Sequence, residues 1–275
     1  MDSLSSAIRR NAPGTFSLRL RAMLVHMTLT TVVAAATYSL IRWLWYPGYF
    51  WQLAAGHSLF LLVCTVDAVL GPLLTFLVFN PAKGTRKLKG DLLAIALLQA
   101  LALAYGLWSV SVARPLFLAY SVDRFDLVKA TDVDSNDLGT AEVAEFRKLS
   151  WGRPQVIGTR EPKDSDERFE FVDAALAGRD RHLMPKTYVP LSTVVATMKS
   201  RARPLSELKS VAADRAQLVV DAANRLASSH DDLGFVPVLA QGDWVMIIDR
   251  RSGELIEVLP IDGFKVPVEP PGPRS

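Results

Sequence analysis

The chain has 275 residues, half of them hydrophobic and 21% charged, with a formal net charge of +3, and that length leaves room for more than one domain. The charge is divided unevenly. Residues 1–113 carry nine Lys or Arg against Asp2, Asp67 and Asp91, a net +6, whereas 22 basic and 25 acidic residues leave the remainder at −3. The basic excess therefore flanks apolar runs and makes no nucleic-acid-binding face, and a lone cysteine, Cys64, excludes an intramolecular disulfide.

In chain order, residues 1–22 read as a cytoplasmic tail holding Arg9, Arg10, Arg19 and Arg21. Residues 23–113 hold three apolar runs, about 23–45, 56–79 and 92–113, each near the roughly 20 residues a helix needs to cross the hydrocarbon core. Trp45-Tyr46-Pro47-Gly48 breaks the first from the second, and Asn80-Pro81-Ala82-Lys83-Gly84 ends the second, because proline lacks an amide proton and glycine relaxes the backbone. Both basic segments, the tail and the 80–91 loop with Lys83, Arg86, Lys87 and Lys89, are expected in the cytoplasm, while the Tyr46–Ala55 loop has no Lys or Arg. That pattern predicts a multi-pass protein of a bacterial inner membrane, N-terminus inside and C-terminal domain in the periplasm. Trp43, Trp45, Tyr46, Tyr49, Phe50 and Trp51 then read as an aromatic belt at the outer membrane face. Ala34-Ala35-Ala36 resembles a signal-peptidase site, but the apolar run continues through Ile41.

The predicted fold class is thus an integral membrane protein with three transmembrane α-helices followed by a soluble α+β domain, residues 114–266. Within that domain Leu116–Val128 reads as a strand, Thr140–Leu149 as a short helix, and Leu191, Val194, Val195 and Met198 as one face of a helix led by Pro190. A longer helix is expected over about 205–228 with Leu208, Val211, Leu218, Ala222 and Leu226 inward. Trp244–Ile248 and Leu255–Leu259 read as a hairpin around Arg250-Arg251-Ser252-Gly253. The proline-rich tail, residues 267–275, reads as disordered.

One order of motifs points to a family. Trp45-Tyr46-Pro47-Gly48 is followed by Asp67-Ala68-Val69-Leu70-Gly71-Pro72-Leu73-Leu74-Thr75 and Val78-Phe79-Asn80-Pro81; after the basic loop come Ala94 to Gln99, Ala104-Tyr105-Gly106-Leu107, Ala113-Arg114-Pro115 and Val122-Asp123-Arg124-Phe125. This resembles the type IV pilin accessory proteins of the TfpX/TfpZ kind. The resemblance implies a non-enzymatic inner-membrane protein that assists assembly or display of a type IV pilin subunit. It implies contact with the pilin's transmembrane helix and globular head, with membrane lipids as the other partner and no nucleic acid. It supplies no catalytic residue.

The expected partner-binding residues are Asp67, Gly71, Pro72, Gln99 and Tyr105. A charged carboxylate near the bilayer midplane costs at least about 2.5 kcal/mol, so Asp67 is expected to be neutral, paired or turned into the bundle. Depth along the helices makes Gln99, Tyr105, Thr30 and Thr31 its candidate neighbours, and Gly71-Pro72 is expected to kink its helix. Its two readings are a polar glue between helices and a receptor for a polar group on a guest helix.

Other constellations carry less. Asp132 to Asp137 begins like a calcium loop but has Asp137 and Val143 where Gly and Glu belong. Ser229-His230-Asp231-Asp232 reads as a turn, and His182 stands among charges without a second histidine. No Walker, G-x-S-x-G or H-E-x-x-H motif occurs, so no catalytic residue, metal ligand or cofactor is expected. The alternative function is a membrane-anchored periplasmic ligand-binding or sensory protein.

Overall fold

The computed structural model of the protein describes residues 13–54, 69–80, 84–208 and 215–265. The chain divides into two units: residues 1–43 with 56–111, and residues 44–55 with 112–275.

The first unit is helical. Helix α1 spans Pro13–Leu40 and runs on through a π-helical segment, Ile41–Trp45; α2 spans Val69–Val78 and α3 spans Thr85–Val112. Helix α3 starts seven residues before the expected boundary of 92, because Arg86, Lys87, Leu88 and Lys89 are all good helix formers. The 80–91 loop is therefore shorter than the charge pattern suggested.

Among the described residues two helical stretches, Phe16–Trp45 and Thr85–Val112, are long and apolar enough to cross a membrane. This corrects the expected three. The middle run contributes a described helix of only Val69–Val78, about half the length that the hydrocarbon core requires. The expectation rests on apolar composition over 56–79, within which the described residues show this one helix. Residues 55–68, with His57, Cys64 and Asp67, lie outside the described residues, as does the stretch that a kink at Gly71-Pro72 would join to α2. Along α1 and α3 large apolar side chains face outward, among them Val25, Leu29, Val32, Leu93, Leu97 and Leu101. Such surfaces suit lipid, where helices satisfy their own backbone polar groups.

The second unit is built on a mixed sheet. Its strands are β1 (Pro115–Ser121), β2 (Arg124–Lys129), β3 (Gln155–Thr159), β4 (Tyr188–Pro190), β5 (Arg203–Pro204), β6 (Leu233–Ala240), β7 (Gly242–Asp249) and β8 (Leu255–Leu259). They lie in the order β4-β3-β1-β2-β6-β7-β8, with β5 paired to β6. β1 runs parallel to β3, β2 runs parallel to β6, and the remaining pairs are antiparallel. Helices α4 (Ser165–Leu176), α5 (Leu191–Arg201) and α6 (Ala216–Leu226) complete it.

The expected strand Leu116–Val128 is in fact the hairpin β1–β2. Ser121 pairs with Arg124, and Val122 takes φ +61° at the turn, a strained position for a β-branched residue that periodicity cannot reveal. Two 3₁₀ turns, Leu138–Thr140 and Ala144–Arg147, replace the short helix expected over Thr140–Leu149. In α5 the expected face turns inward: Met198 is fully buried, and Val194 and Val195 pack over Gly158 and Gly253. The long helix is shorter than expected. Leu205–Glu207 is a 3₁₀ turn, residues 209–214 (with Val211) lie outside the described set, and α6 begins at Ala216. Val219 and Ala222 point inward from α6, whereas Leu218 is exposed. The hairpin β7–β8 forms as expected, with Gly253 at φ +83°. The proline-rich tail lies outside the described residues.

Two apolar clusters hold the unit. Leu205, Leu208, Val219, Ala222, Phe235, Val245, Ile247 and Leu259 gather between α6 and β6–β8. On the other side Phe117, Phe146 and Tyr188 meet edge to face, with centroids 5.2–6.2 Å apart, amid Leu116, Val128, Leu138 and Ile157.

Residues 44–55 belong to this unit. Trp45, Tyr46, Phe50, Leu53 and Ala54 are buried, and Leu53 O accepts a hydrogen bond from Gln241 N at 3.2 Å. Trp45 Nε1 donates to Trp151 O at 3.1 Å. Buried Arg114 stacks 4.5 Å over the Trp151 ring and donates to Ser150 O from both Nε and Nη2. Burial pushes the Tyr46 phenol up to about 12, an effect that the nearby Arg114 partly offsets. The expected aromatic belt is therefore largely core, since interfacial and core aromatics have the same composition; of the six, Trp43 is the one whose side chain is mostly exposed, at 67%.

The seat gives a direct prediction. Leu53→Ala removes a fully buried side chain and should cost the sheet unit about 2–5 kcal/mol, read as a lowered thermal midpoint in near-UV circular dichroism. An unchanged midpoint would place residues 44–55 outside the folded unit.

Candidate functional site

Polar side chains within apolar helices mark functional contacts more often than chance, because each must be satisfied without water. In the first unit the best-formed such contact centres on His26 of α1. Its Nδ1 lies 2.5 Å from Thr75 Oγ1 of α2, and its Nε2 lies 2.6 Å from Gln99 Oε1 of α3. One neutral tautomer satisfies both contacts: the Thr75 hydroxyl donates to Nδ1, and Nε2–H donates to the Gln99 carbonyl oxygen. Three helices thus share one imidazole. Thr75 is 2% exposed, so its hydroxyl is screened from lipid.

Gly71 and Pro72 sit buried one helical turn before Thr75. A Cβ at Gly71 would stand 1.9 Å from Gln99 Nε2 and 2.6 Å from its Cδ. Gly71 is therefore the floor on which the Gln99 amide lies. This is the close approach that small residues permit between membrane helices. Phe16 and Phe76 meet edge to face at 5.8 Å and close the same α1–α2 contact nearer the start of α1.

Of the residues expected to form a binding site, Gly71, Pro72 and Gln99 come together and Tyr105 does not. Tyr105 is 68% exposed and lies 5.8 Å from the Trp108 ring on the outer face of α3. Asp67 lies outside the described residues. Of its other candidate neighbours, Thr31 donates back to Met27 O. His26 and Thr75 were missed by sequence reasoning. The signal was present in His26, an ionisable side chain five positions after Arg21 inside the first apolar run. Thr75 carried none, since threonine is common in such helices.

The other constellations are structural. Asp132 Oδ2 accepts from Lys129 N and Asp134 Oδ1 from Asn136 N, both at 2.9 Å, and Asp137 pairs with Arg179. His230, Asp231 and Asp232 pair with Asp249, Arg251 and Arg250, pinning the end of α6 to the β7–β8 turn. Among the described residues no group of three or more His, Cys, Asp or Glu is arranged to hold a metal ion.

Long apolar helices with a shared polar contact, followed by a mixed-sheet domain, fit a membrane-anchored protein with a soluble C-terminal domain. Comparison with known proteins sharpens this. Over 245 residues the chain is 27% identical to the fimbrial assembly protein of serogroup I of Dichelobacter nodosus, and equally to that of serogroup E1; each match covers 88% of this chain and 95% of the relative. It is 31% identical over 117 residues to the fimbrial assembly protein of serogroups C1 and C2 of the same organism, covering 42% of this chain and 89% of the relative. The chain belongs to this family of fimbrial assembly proteins. No protein-family model matches it, and no solved structure does either.

The polar contact predicts a coupled pair of substitutions. Gly71→Ala should displace the Gln99 amide from His26 and destabilise the helical unit by about 1–2 kcal/mol. Gly71→Ala with Gln99→Ala should lose less than the sum of the two single changes. Reversible unfolding in mixed micelles reads both; strict additivity would separate Gly71 from the His26 contact.

Proposed function

We propose that the protein is a non-enzymatic inner-membrane accessory factor that assists assembly or surface display of a type IV pilin, in the manner of the TfpX/TfpZ proteins it resembles. The observation that carries this is whole-length similarity to fimbrial assembly proteins, over 95% of two of them. A match of that extent includes both the apolar helices and the sheet domain, so the role belongs to the combination.

The chain's layout supports a division of labour. The fimbrial subunit's apolar helix would pack on the helical unit, whose outward faces are apolar. The subunit's soluble part would meet the sheet unit. There α4 exposes Phe169, Val172 and Leu176, at 74%, 54% and 84%, along one face, the kind of patch that marks a protein interface. The chain joins the sheet unit at Leu44 and again at Val112, which supports one side of the membrane for residues 44–55 and the domain. The lack of Lys and Arg in 46–55 supports the periplasmic side.

Photo-crosslinking in living cells tests the reading. A benzoylphenylalanine at Tyr105 or at Phe169 of the full chain should capture the fimbrial subunit, identified by mass spectrometry. Capture at neither position, with the chain at normal abundance and fimbriae being assembled, would remove it.

A further inference from the structure

Trp151 of the sheet unit is 66% exposed, yet its ring and its backbone are both held. Buried Arg114 lies 4.5 Å over the ring, and Trp151 O accepts from Trp45 Nε1 at 3.1 Å. The Trp45 and Trp151 rings stand 6.5 Å apart, tilted by 48°. All three residues belong to the sheet unit. A large amphipathic ring is thus fixed in place on one side and left open on the other.

Its two partners mark the ends of the apolar helical stretches. Trp45 is the last residue of Phe16–Trp45, and Arg114 is the second residue past Thr85–Val112. At most about 7 Å of extended chain separates either partner from a helix end. With those stretches across a bilayer, the Trp151 indole falls at the headgroup level, where tryptophan is enriched.

The chain around Trp151 carries the matching charge. Residues 146–160 hold Arg147, Lys148, Arg153 and Arg160 and no Asp or Glu, although acidic residues outnumber basic ones, 25 to 22, after residue 113. Arg160 is paired with Glu142 and Glu167, and Arg147 donates to the backbone carbonyls of Ala141 and Glu142. Lys148 and Arg153, exposed on either side of Trp151, are the cations turned to the surface.

We infer that Trp151, Lys148 and Arg153 form a lipid-docking surface, the indole lying among the headgroups and the two cations against the phosphates of anionic phospholipid. The inference rests on the membrane placement of the two helical stretches and adds which face of the sheet unit meets the bilayer. An exposed apolar row, such as that on α4, suits a protein partner. A fixed indole between two flexible cations, at the ends of two apolar stretches, suits a charged lipid surface. Trp45, expected in the interfacial belt, instead holds the ring that occupies it.

Fluorine NMR of the full chain in nanodiscs, labelled with 5-fluorotryptophan, tests the surface. Trp45→Phe, Trp108→Phe and Trp151→Phe assign the three resonances used. A water-soluble gadolinium chelate relaxes any indole that water reaches. In nanodiscs containing phosphatidylglycerol the Trp151 resonance should be protected, although the protein itself leaves that side chain open. Each cation near an anionic surface strengthens docking about fivefold. Lys148→Gln together with Arg153→Gln should therefore lower the protection about fivefold or more, as should discs of phosphatidylcholine alone. The Trp45 resonance should not move, which shows that the variant folds. Trp108, 59% exposed on α3, should stay protected in every disc, a separate test of the membrane placement. Full relaxation of Trp151 beside a protected Trp108 would overturn the inference and leave that placement standing. Relaxation of both would remove the two together. Protection of Trp151 that survives the double substitution, or that appears only when fimbrial subunit is added, would also overturn the inference.

Discussion

The structure turns on the seating of residues 44–55 in the C-terminal domain. A segment between an apolar helix and the rest of the chain would ordinarily be a loop. Here Tyr46, Phe50 and Leu53 are nearly inaccessible, and the backbone of Leu53 is tied to Gln241 at the β6–β7 turn. Arg114, the residue before β1, is buried under Trp151, whose carbonyl also receives Trp45. A buried guanidinium is tolerated only when its donors and its face are occupied, and Ser150 and Trp151 occupy them. A domain formed from residues 112 onward alone would leave this apolar seat exposed.

The helical unit solves a different problem. In lipid the hydrophobic effect gives helices little reason to associate, and close packing and polar contacts take its place. His26 supplies two contacts from one side chain, and Gly71 lets the Gln99 amide come near enough to meet it. Such contacts are worth about 0.6–2 kcal/mol each in membranes.

Much of this was legible in the residues, and the failures have physical causes. Charge asymmetry and long apolar runs disclosed the membrane helices, but the middle run was apolar without yielding a long described helix. The β7–β8 hairpin was legible because Gly253 must take a positive φ, whereas the β1–β2 turn hid behind Val122, a residue that disfavours the conformation it adopts. The aromatic cluster at 43–51 reads as an interfacial belt because a belt and a core draw on the same residues; burial of Trp45, Tyr46 and Phe50 and bonds to Trp151 and Gln241, far along the chain, tell them apart. Position alone singles out Gly71 and Gln99, which the structure packs against one another beside His26. His26 needs the depth argument applied to α1 as well.

The proposed function requires this chain to act on a fimbrial subunit and not on a small molecule or a signal. A deletion strain, complemented with the full chain, tests it most directly when surface fimbriae and the membrane pool of subunit are counted together. Surface fimbriae should fall sharply while subunit remains in the membrane, and the full chain should restore them. Normal fimbriation in the deletion strain with each of its fimbrial subunits would contradict it.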